Sequence, residues 1–199
     1  MGSLIIFIAM ILVAGITASV LIQTMNSLQE QALRTGMETI QDISAGLKVT
    51  HISGYNNGSE ITQLAIFISP IVASGDIDIA YTYISLSDSS KNVILNYNNS
   101  VFNSSVSGGL FGTLNSSNLN SDEFGLIVIR DIDSSCGSSL PIINNGDLVV
   151  MLINATKCFL GINTNTDVSG NIYPEHGISG VIGFTTPSTF TNTIIDLQP

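Results

Sequence analysis

Residues 4–22 read LIIFIAMILVAGITASVLI, a continuous run without a charged side chain. The uncharged segment is longer still, because the first ionisable side chain is that of Glu30. An apolar helix of roughly 20 residues is long enough to cross the hydrocarbon core of a bilayer. A helix that is apolar all round is stable only in lipid or against other helices. The chain therefore needs a membrane or neighbouring copies of this helix.

An amphipathic pattern continues the helix beyond residue 22. Between residues 25 and 47 apolar side chains recur in steps of three and four, which is the period of an α-helix. Glu30, Arg34 and Glu38 lie four apart, a spacing at which opposite charges on a helix attract. We expect one helix to about Val49, roughly 70 Å long. The alternative is two helices that break near Gly36.

The predicted helix ends in residues that favour turns. Residues 50–54 read THISG and residues 56–58 read NNG, which are typical of loops and tight turns. The domain boundary is therefore expected between residues 50 and 51.

Small residues in the apolar run favour close packing between helices. Ala14 with Ala18, and Gly15 with Ser19, form two overlapping small-xxx-small pairs. A membrane anchor has no need of such pairs, so they favour a helix that packs against its own kind. The residues expected to pack in a helical core are Leu4, Phe7, Met10, Ala14, Gly15, Ala18 and Leu21.

After residue 58 the period of the pattern changes from helical to strand-like. Residues 98–121 are rich in Asn, Ser and Gly, which predicts an exposed loop excursion with one short strand near Leu110 and Phe111. Other strands are expected at residues 63–69, 76–86, 91–97, 124–130, 147–154, 180–184 and 193–197.

Seven or eight short strands without a second helix predict a β-sandwich of immunoglobulin type. The expected fold class is α+β, with a hydrophobic helix in residues 1–50 and the β-sandwich in residues 51–199. No Trp is present, so the antibody-like Cys-Trp-Cys core is absent and the strand topology stays open.

The composition excludes one large class of partners. The chain has 199 residues, of which 44% are hydrophobic and 10% charged, and its net charge is −10. The five basic residues are scattered singly, and without a basic stripe the chain is not expected to bind nucleic acid. Its polarity comes mainly from Ser, Thr, Asn and Gly, which suits an exported surface.

The two cysteines, Cys136 and Cys158, both lie in the predicted β-domain. In an oxidising compartment such a pair predicts one disulfide. The alternative is two buried free thiols.

Five Asn-X-Ser/Thr sequons lie in the same domain. In an exported chain each places a glycan acceptor in a turn or at a strand end. We expect N-linked glycans on most of these asparagines, which are Asn57, Asn98, Asn103, Asn115 and Asn154.

The chain shows no catalytic motif. His51 follows the predicted helix and His176 lies in a Tyr-Pro-Glu-His-Gly turn, and neither has a nearby Ser or Cys partner motif. We therefore expect a protein that is not an enzyme and has no cofactor; N-linked glycans and, as the alternative to a solvated acidic face, a structural cation are the candidates.

Paired carboxylates are the candidates for that cation. Asp131 and Asp133 lie on one face of a strand, as do Asp76 and Asp78. Ca²⁺ needs several oxygen ligands, and Asp122 with Glu123 could add to the set. The alternative is a solvated acidic face.

The two ends of the chain resemble one family. Residues 2–22 are similar to the mature N-terminus of archaeal flagellins (archaellins), whose pattern is Gly-x-Leu-Ile-x-Phe-Ile-Ala-Met-x-Leu-Val-Ala. Residues 173–177, YPEHG, and residues 184–190, FTTPSTF, resemble the family's C-terminal strand region. Ile5 stands where the related type IV pilins carry Glu, which favours archaellin over pilin.

The resemblance implies a structural subunit of the archaellum, the swimming filament of archaea. It implies apolar helices in the filament core, glycosylated β-sandwiches outside, and partners that are copies of the chain and the archaellum motor and export machinery. Family members lose a basic leader to a prepilin-type peptidase, so we expect a leader removed ahead of Met1 and a membrane-inserted stage before assembly. An adhesive archaeal pilus subunit and a membrane-anchored β-sandwich ectodomain are the alternatives.

Overall fold

The computed structural model describes residues 2–72 and 74–198, apart from the side chains of Gln41, Asp42 and Ser44. The chain divides into two compact units, residues 1–40 and residues 41–199. The division thus falls between residues 40 and 41 rather than between residues 50 and 51.

The first element is one long helix, α1, over Gly2–Ser44. It runs unbroken through Gly36, so the alternative of two helices is excluded. Its threonines keep the hydroxyl satisfied within the helix: Thr17 and Thr24 donate to the carbonyls of Val13 and Val20 at 2.8 Å. A polar side chain of this kind can lie in an apolar surrounding without an unpaired donor.

The predicted end of the helix near Val49 is wrong. The helix ends at Ser44, and strand β1 begins at Leu47 and runs to Asn56, so the predicted turn at residues 50–54 is wrong as well. Leu47 and Ile52 are 2% and 0% exposed in the core of the β-domain, and this burial overrides the helical periodicity that reaches Leu47. The expected turn at residues 56–58 is confirmed, since Asn57 Oδ1 accepts from the backbone N–H groups at positions 59 and 60.

Together with β1, the other strands form a nine-stranded sheet and a two-stranded ribbon. Among the strands of residues 2–72 and 74–198, β5 and β6 pair in parallel, and the other neighbours are antiparallel. The order in the large sheet is β10-β9-β4-β5-β6-β8-β2-β1-β11, and β3 pairs with β7. The strands are β2 Ile61–Pro70, β3 Ile77–Asp78, β4 Tyr83–Ser87, β5 Asn92–Asn103, β6 Glu123–Arg130, β7 Ile142–Ile143, β8 Leu148–Asn154, β9 Asp167–Tyr173, β10 Gly180–Thr185 and β11 Ile194–Gln198.

The large sheet folds over on itself around one core. The backbone N–H of Gly183 in β10 donates to Gln198 Oε1 in β11 at 3.0 Å, so the two edge strands come together. Inside, Leu64 of β2 faces Ile153 of β8 and Ile66 faces Met151, all of them 0–1% exposed. The predicted α+β fold, an apolar helix followed by a β-sandwich, is confirmed in this barrel-like form.

Residues 98–121 form only in part the exposed excursion that their composition predicts, because most of them are exposed but three are buried. Val101, Leu114 and Leu119 are at most 8% exposed and pack on the outer face of β2, β6 and β8 in a second, smaller core. Those strands are apolar on both faces, as strands covered on both sides are. Leu110 and Phe111 lie in the short helix α2, Leu110–Thr113, and not in a strand.

A side-chain cap interrupts one of the predicted strands, and a second cap begins a short helix directly after another. The strand expected over residues 76–86 is broken by a 3-10 turn over Ile79–Tyr81, where Asp78 Oδ1 accepts from the N–H of Ala80 at 2.8 Å. The short helix α3, Ala155–Phe159, follows β8 because Asn154 caps its N-terminus through the N–H of Lys157. The expectation that the chain has no second helix is therefore wrong.

Candidate assembly surface and modification sites

The helix α1 presents a continuous exposed apolar surface. Among the residues predicted to pack in a helical core, Leu4, Phe7, Met10 and Leu21 are 58–73% exposed. Covering one such side chain is worth about 1.5–3 kcal/mol. A helix with this many apolar side chains in contact with solvent is poorly soluble, so the surface needs lipid or protein against it.

The small residues predicted for close packing lie on the same helix. Ala14, Gly15 and Ala18 are all exposed. A Cβ built on Gly15 would meet no atom of the chain within 4 Å. The small size of residue 15 therefore has no intramolecular reason. The helix over residues 2–40 is also long and apolar enough to span a membrane by length and composition.

The predicted disulfide is wrong, and the alternative of two buried free thiols is what the structure shows. Cys136 and Cys158 are 7% and 0% exposed and unpaired with one another. The backbone N–H of Cys136 donates to Asp131 Oδ2, while the Cys158 thiol donates to the carbonyl of Ser121 at 3.4 Å. Each cysteine is held by its own neighbours, and an even count in the sequence does not reveal this.

Neither thiol is suited to nucleophilic chemistry. Burial, with a further contribution from Asp131 and Asp147, raises the pKa of Cys136 to about 12. Burial raises the pKa of Cys158 to about 11, although Lys91 opposes the shift. Because the thiolate is the nucleophile, both groups are inert at neutral pH.

One arrangement of Ser53, His51 and Asp196 resembles a hydrolytic triad and fails its geometry. His51 lies in β1 rather than at the helix end, and its Nε2 is 2.9 Å from Ser53 Oγ and 3.2 Å from Asp196 Oδ1. A triad needs the serine on one ring nitrogen and the carboxylate on the other. Here both groups share one nitrogen and Ser53 is 5% exposed, so the cluster cannot pass a proton along.

The other histidine lies in the turn after β9. The Nε2 atom of His176 is buried and has no hydrogen-bond partner among the described residues. It has no role in a triad and belongs to the loop that packs beside the start of β1.

The sequon asparagines share one local geometry. Four of the five side chains accept, through Oδ1, from the backbone N–H two residues on, which is that of the sequon serine: Asn57, Asn98, Asn103 and Asn115. This Asx turn occupies the side-chain oxygen and leaves the amide nitrogen, the atom that a glycan modifies, free of the local backbone.

Two of the sequons differ in how the amide nitrogen is used. Nδ2 of Asn154 donates to the carbonyl of Ser116 at 2.8 Å, and the residue is 8% exposed. The amide nitrogen of Asn154 is therefore occupied in the folded domain, and its glycosylation stays a prediction that these contacts disfavour. Nδ2 of Asn98 donates to Glu123 Oε2 at 2.7 Å, whereas Asn57 and Asn115 are exposed.

Only part of the predicted cation site comes together. Asp131 and Asp133 lie within 4.8 Å of a third carboxylate, that of Asp147. Asp122, Glu123, Asp76 and Asp78 do not belong to this cluster. Glu123 instead accepts from Asn98 and Asn120, and these hydrogen bonds lower its pKa.

Asp147 is the member that the sequence did not reveal. Arg130 of β6 pairs with Leu148 of β8, so residues 131 and 147 meet where the two strands separate. The carboxylate of Asp147 accepts from the N–H groups of Ile132 and Asn144. Only knowledge that β6 and β8 are neighbours, separated by 17 residues of loop and ribbon in the sequence (131–147), could have predicted the pairing.

The exposed apolar helix, the β-domain rich in glycan acceptors and the inert thiols define a structural protein that needs neighbouring subunits or lipid to cover α1. Comparison with known proteins gives the family. Residues 1–184 match the model of archaeal-type flagellin, and the chain belongs to that family. Its members are structural filament subunits and not enzymes, and the chain is accordingly a filament subunit of the archaeal flagellum, located at the cell surface.

Individual relatives cover nearly the whole chain. Flagellin B2 of Methanocaldococcus jannaschii is 41% identical over 99% of this chain and 93% of its own length. Flagellin B3 of Thermococcus kodakarensis is 34% identical over 99% and 95%. The crystal structure of archaeal flagellin FlaB1 from M. jannaschii matches 77% of this chain and 97% of its own, with 32% identity and a TM-score of 0.70.

A second solved structure includes the helix. The archaeal flagellum of Methanospirillum hungatei matches 99% of this chain and 97% of its own, with a TM-score of 0.63. Its sequence identity is 14%, so this likeness shows the shared fold of helix and β-domain.

Proposed function

We propose that the chain polymerises through α1, with the helices packed in the filament core and the β-domains forming a glycosylated outer wall. The observation that carries this proposal is the exposure of every described side chain of α1. Covering the apolar helix with copies of itself removes that surface from water. A head-to-tail contact of this kind does not close and yields a helical filament.

Before assembly the same helix would lie in the membrane as a single span. Its length and hydropathy over residues 2–40 support this stage. Polymerisation then exchanges lipid for neighbouring helices, and small residues at positions 14, 15 and 18 favour that exchange. Export and rotation of the filament would depend on the archaellum machinery, with which this subunit interacts as a passive component.

The experiment that tests the proposal compares full-length protein sheared from cells with a chain that begins at Gln41, where the compact β-unit starts. We expect long thin filaments from the first and soluble monomers from the second in negative-stain micrographs. Full-length protein recovered only in detergent, and never as filaments, would favour the anchored ectodomain.

The side-chain contacts of the sequon asparagines predict which of them carry glycans. We expect glycopeptide mass spectrometry of the filament to find glycans on Asn57 and Asn115, which are exposed, and on Asn103, which is half-buried. Asn154 should be unmodified, because its amide nitrogen is bonded inside the domain. Asn98, whose amide nitrogen donates to Glu123, should be modified less than Asn57 and Asn115. A fully glycosylated Asn154 would contradict this reading.

The cluster of Asp131, Asp133 and Asp147 fits a structural divalent cation. Hydrogen bonds from backbone N–H groups and from Asn144 hold the three carboxylates in place, and each ionised oxygen keeps a further lone pair. Ca²⁺ prefers such oxygen ligands. A bound divalent cation would also offset two of the three negative charges that lie within 4.8 Å of one another.

Removal of the cation provides the test. A ligand at one hundred times its dissociation constant stabilises the folded state by about 2.7 kcal/mol, so millimolar Ca²⁺ should raise the melting temperature and EDTA should lower it. Asp131→Asn should abolish the response, and Asp122→Asn, which lies outside the cluster, should retain it. Equal melting curves with Ca²⁺ and with EDTA would show that the cluster is only a solvated acidic turn.

A further inference from the structure

Part of the outer surface of the folded sheet is covered, where residues 98–121 pack over β2, β6 and β8. A separate, uncovered part is formed by residues 83–87 of β4, 92–96 of β5, 169–173 of β9 and 181–183 of β10, and we call it the open face. Its side chains alternate with inward residues such as Ile84, Leu95 and Ile182, which are 0–1% exposed.

The open face carries apolar and aromatic groups in contact with solvent. Tyr83 and Tyr173, paired across β4 and β9, stack with ring centroids 4.8 Å apart and planes at 21°. Tyr83, Ile94 and Val181 are 42%, 57% and 64% exposed. The other outward residues between these positions are Ser, Asn and Gly.

The open face has no charge in a strongly acidic domain. The chain carries a net charge of −10, and only three charged side chains precede residue 41, so the β-domain holds nearly all of the excess. Yet residues 83–87, 92–96, 169–173 and 181–183 include no Asp, Glu, Lys or Arg. Of the acids at its border, Glu123 and Asp167 accept hydrogen bonds from Asn98 and Thr185.

Glycan acceptors avoid the open face as well. No sequon asparagine lies in those four stretches, and Asn98, whose amide nitrogen is already bonded, only borders them. Asn57 lies in the turn between β1 and β2, and Asn103 and Asn115 lie in the segment that covers β2, β6 and β8. The surface available for glycans and the open face are thus separate.

We propose that the open face is the contact through which the β-domain meets the β-domain of a neighbouring copy of this chain in the filament. The proposal rests on the proposed function and adds the surface to it. Two acidic domains repel least where they approach through an uncharged surface, and protein interfaces are depleted in charge and enriched in Tyr.

The size of the open face selects this occupant. Four strands about 4.8 Å apart and five residues long cover about 300 Å², well below the roughly 800 Å² per partner of a stable interface. A freely diffusing partner would not be held by so small a surface. A second copy is already held alongside by the packed helices, so a contact of this small area is sufficient for it.

The test uses the full-length chain with two added charges. Ile94→Glu and Val181→Glu together should lower the fraction of protein recovered in sheared filaments about tenfold, a change equivalent to 1.4 kcal/mol. Val106→Glu is the matched control, because Val106 is 45% exposed and lies in the segment over the covered part of the sheet. This substitution should leave the yield unchanged. Circular dichroism in detergent should show an unchanged melting temperature for the double variant and for the control.

A second readout separates this proposal from the filament proposal. Nitration of Tyr83 and Tyr173 should fall severalfold in wild-type filaments relative to detergent-solubilised monomer. Two results would overturn the proposed contact and leave the filament proposal intact. One is that both tyrosines react in wild-type filaments as they do in the monomer, and the other is that the double variant assembles normally. A wild-type chain that forms no filaments would overturn the proposed function and this contact with it.

Discussion

Gly15→Leu is expected to abolish filament formation while the β-domain keeps its native stability. The residue lies in the middle of the apolar run of α1, and a Cβ at this position meets no atom of the chain within 4 Å. Leucine also has a helix propensity about 1 kcal/mol better than glycine. The isolated subunit should therefore gain helical stability, and any loss of assembly must come from a neighbouring helix.

The size of the effect follows from close packing. Small residues allow two helix backbones to approach, and a bulky side chain there separates the pair along the whole contact. Losing the cover on two apolar side chains alone costs about 3–6 kcal/mol, which corresponds to at least a hundredfold loss in association. Sedimentation of material sheared from cells measures the effect.

Matched variants make the result specific. Gly15→Ala should reduce the yield of filaments less than Gly15→Leu, because the methyl group is small. Gly36→Leu adds the same bulk outside the small-residue cluster, at a position where a Cβ also meets no atom of the chain within 4 Å, and should be tolerated better. Filaments of normal yield and diameter from Gly15→Leu would refute the claim that helices pack closely at this position.

The helix and the class of the protein could be predicted because the evidence for them is local. An uncharged run over residues 4–22 can only be covered by lipid or protein, whatever the rest of the chain does. The same holds for the turn at residues 56–58, where Asn57 bonds backbone groups two and three residues away. Such features require no knowledge of distant contacts.

The elements that the sequence predicted wrongly depend on distant packing. The helical period reaches residue 47, but Leu47 and Ile52 are buried in a strand that pairs with β2 and, at its far end, with the C-terminal β11. The polar composition of residues 98–121 conceals Val101, Leu114 and Leu119, which cover an apolar outer face that only the assembled sheet reveals.

The candidate sites also divide into features that the local sequence reveals and features that depend on distant contacts. Asp131 and Asp133 could be suggested from their spacing, whereas Asp147 joins them only through the pairing of β6 with β8. Five sequons look equivalent in the sequence, and the burial of Asn154 separates it from the others. Similarly, Cys136 and Cys158 form an even pair in the sequence but are free thiols in the fold.

Gly177→Ala is expected to lower the free energy of unfolding of the β-domain by about 3 kcal/mol. The backbone at Gly177 has a φ of +90°, a conformation that costs other residues energy. An added Cβ would also lie 2.3 Å from the carbonyl oxygen of Ala45. For a domain of 150–250 residues, this loss corresponds to a melting temperature lower by about 10 °C.

The physical reason lies in how the start of the β-domain is held. The N–H of Ile178 donates to the carbonyl of Ala45 at 2.8 Å, and the N–H of Leu47 donates to the carbonyl of Ile178 at 3.1 Å. Ser74 Oγ accepts from the N–H of Gly46 at 2.9 Å. Any side chain at residue 177 pushes these two backbones apart and breaks several hydrogen bonds at once.

Gly183→Ala is the matched control, because a Cβ at Gly183 meets no atom of the chain within 4 Å. This substitution should change the melting temperature by no more than about 2 °C. An equal melting temperature for Gly177→Ala and wild type would show that the loop around residues 176–178 yields without cost. A selective loss in Gly177→Ala would give the Tyr-Pro-Glu-His-Gly motif a physical role. Its final glycine would be the position at which the loop after β9 closes on the segment that leads from α1 into β1.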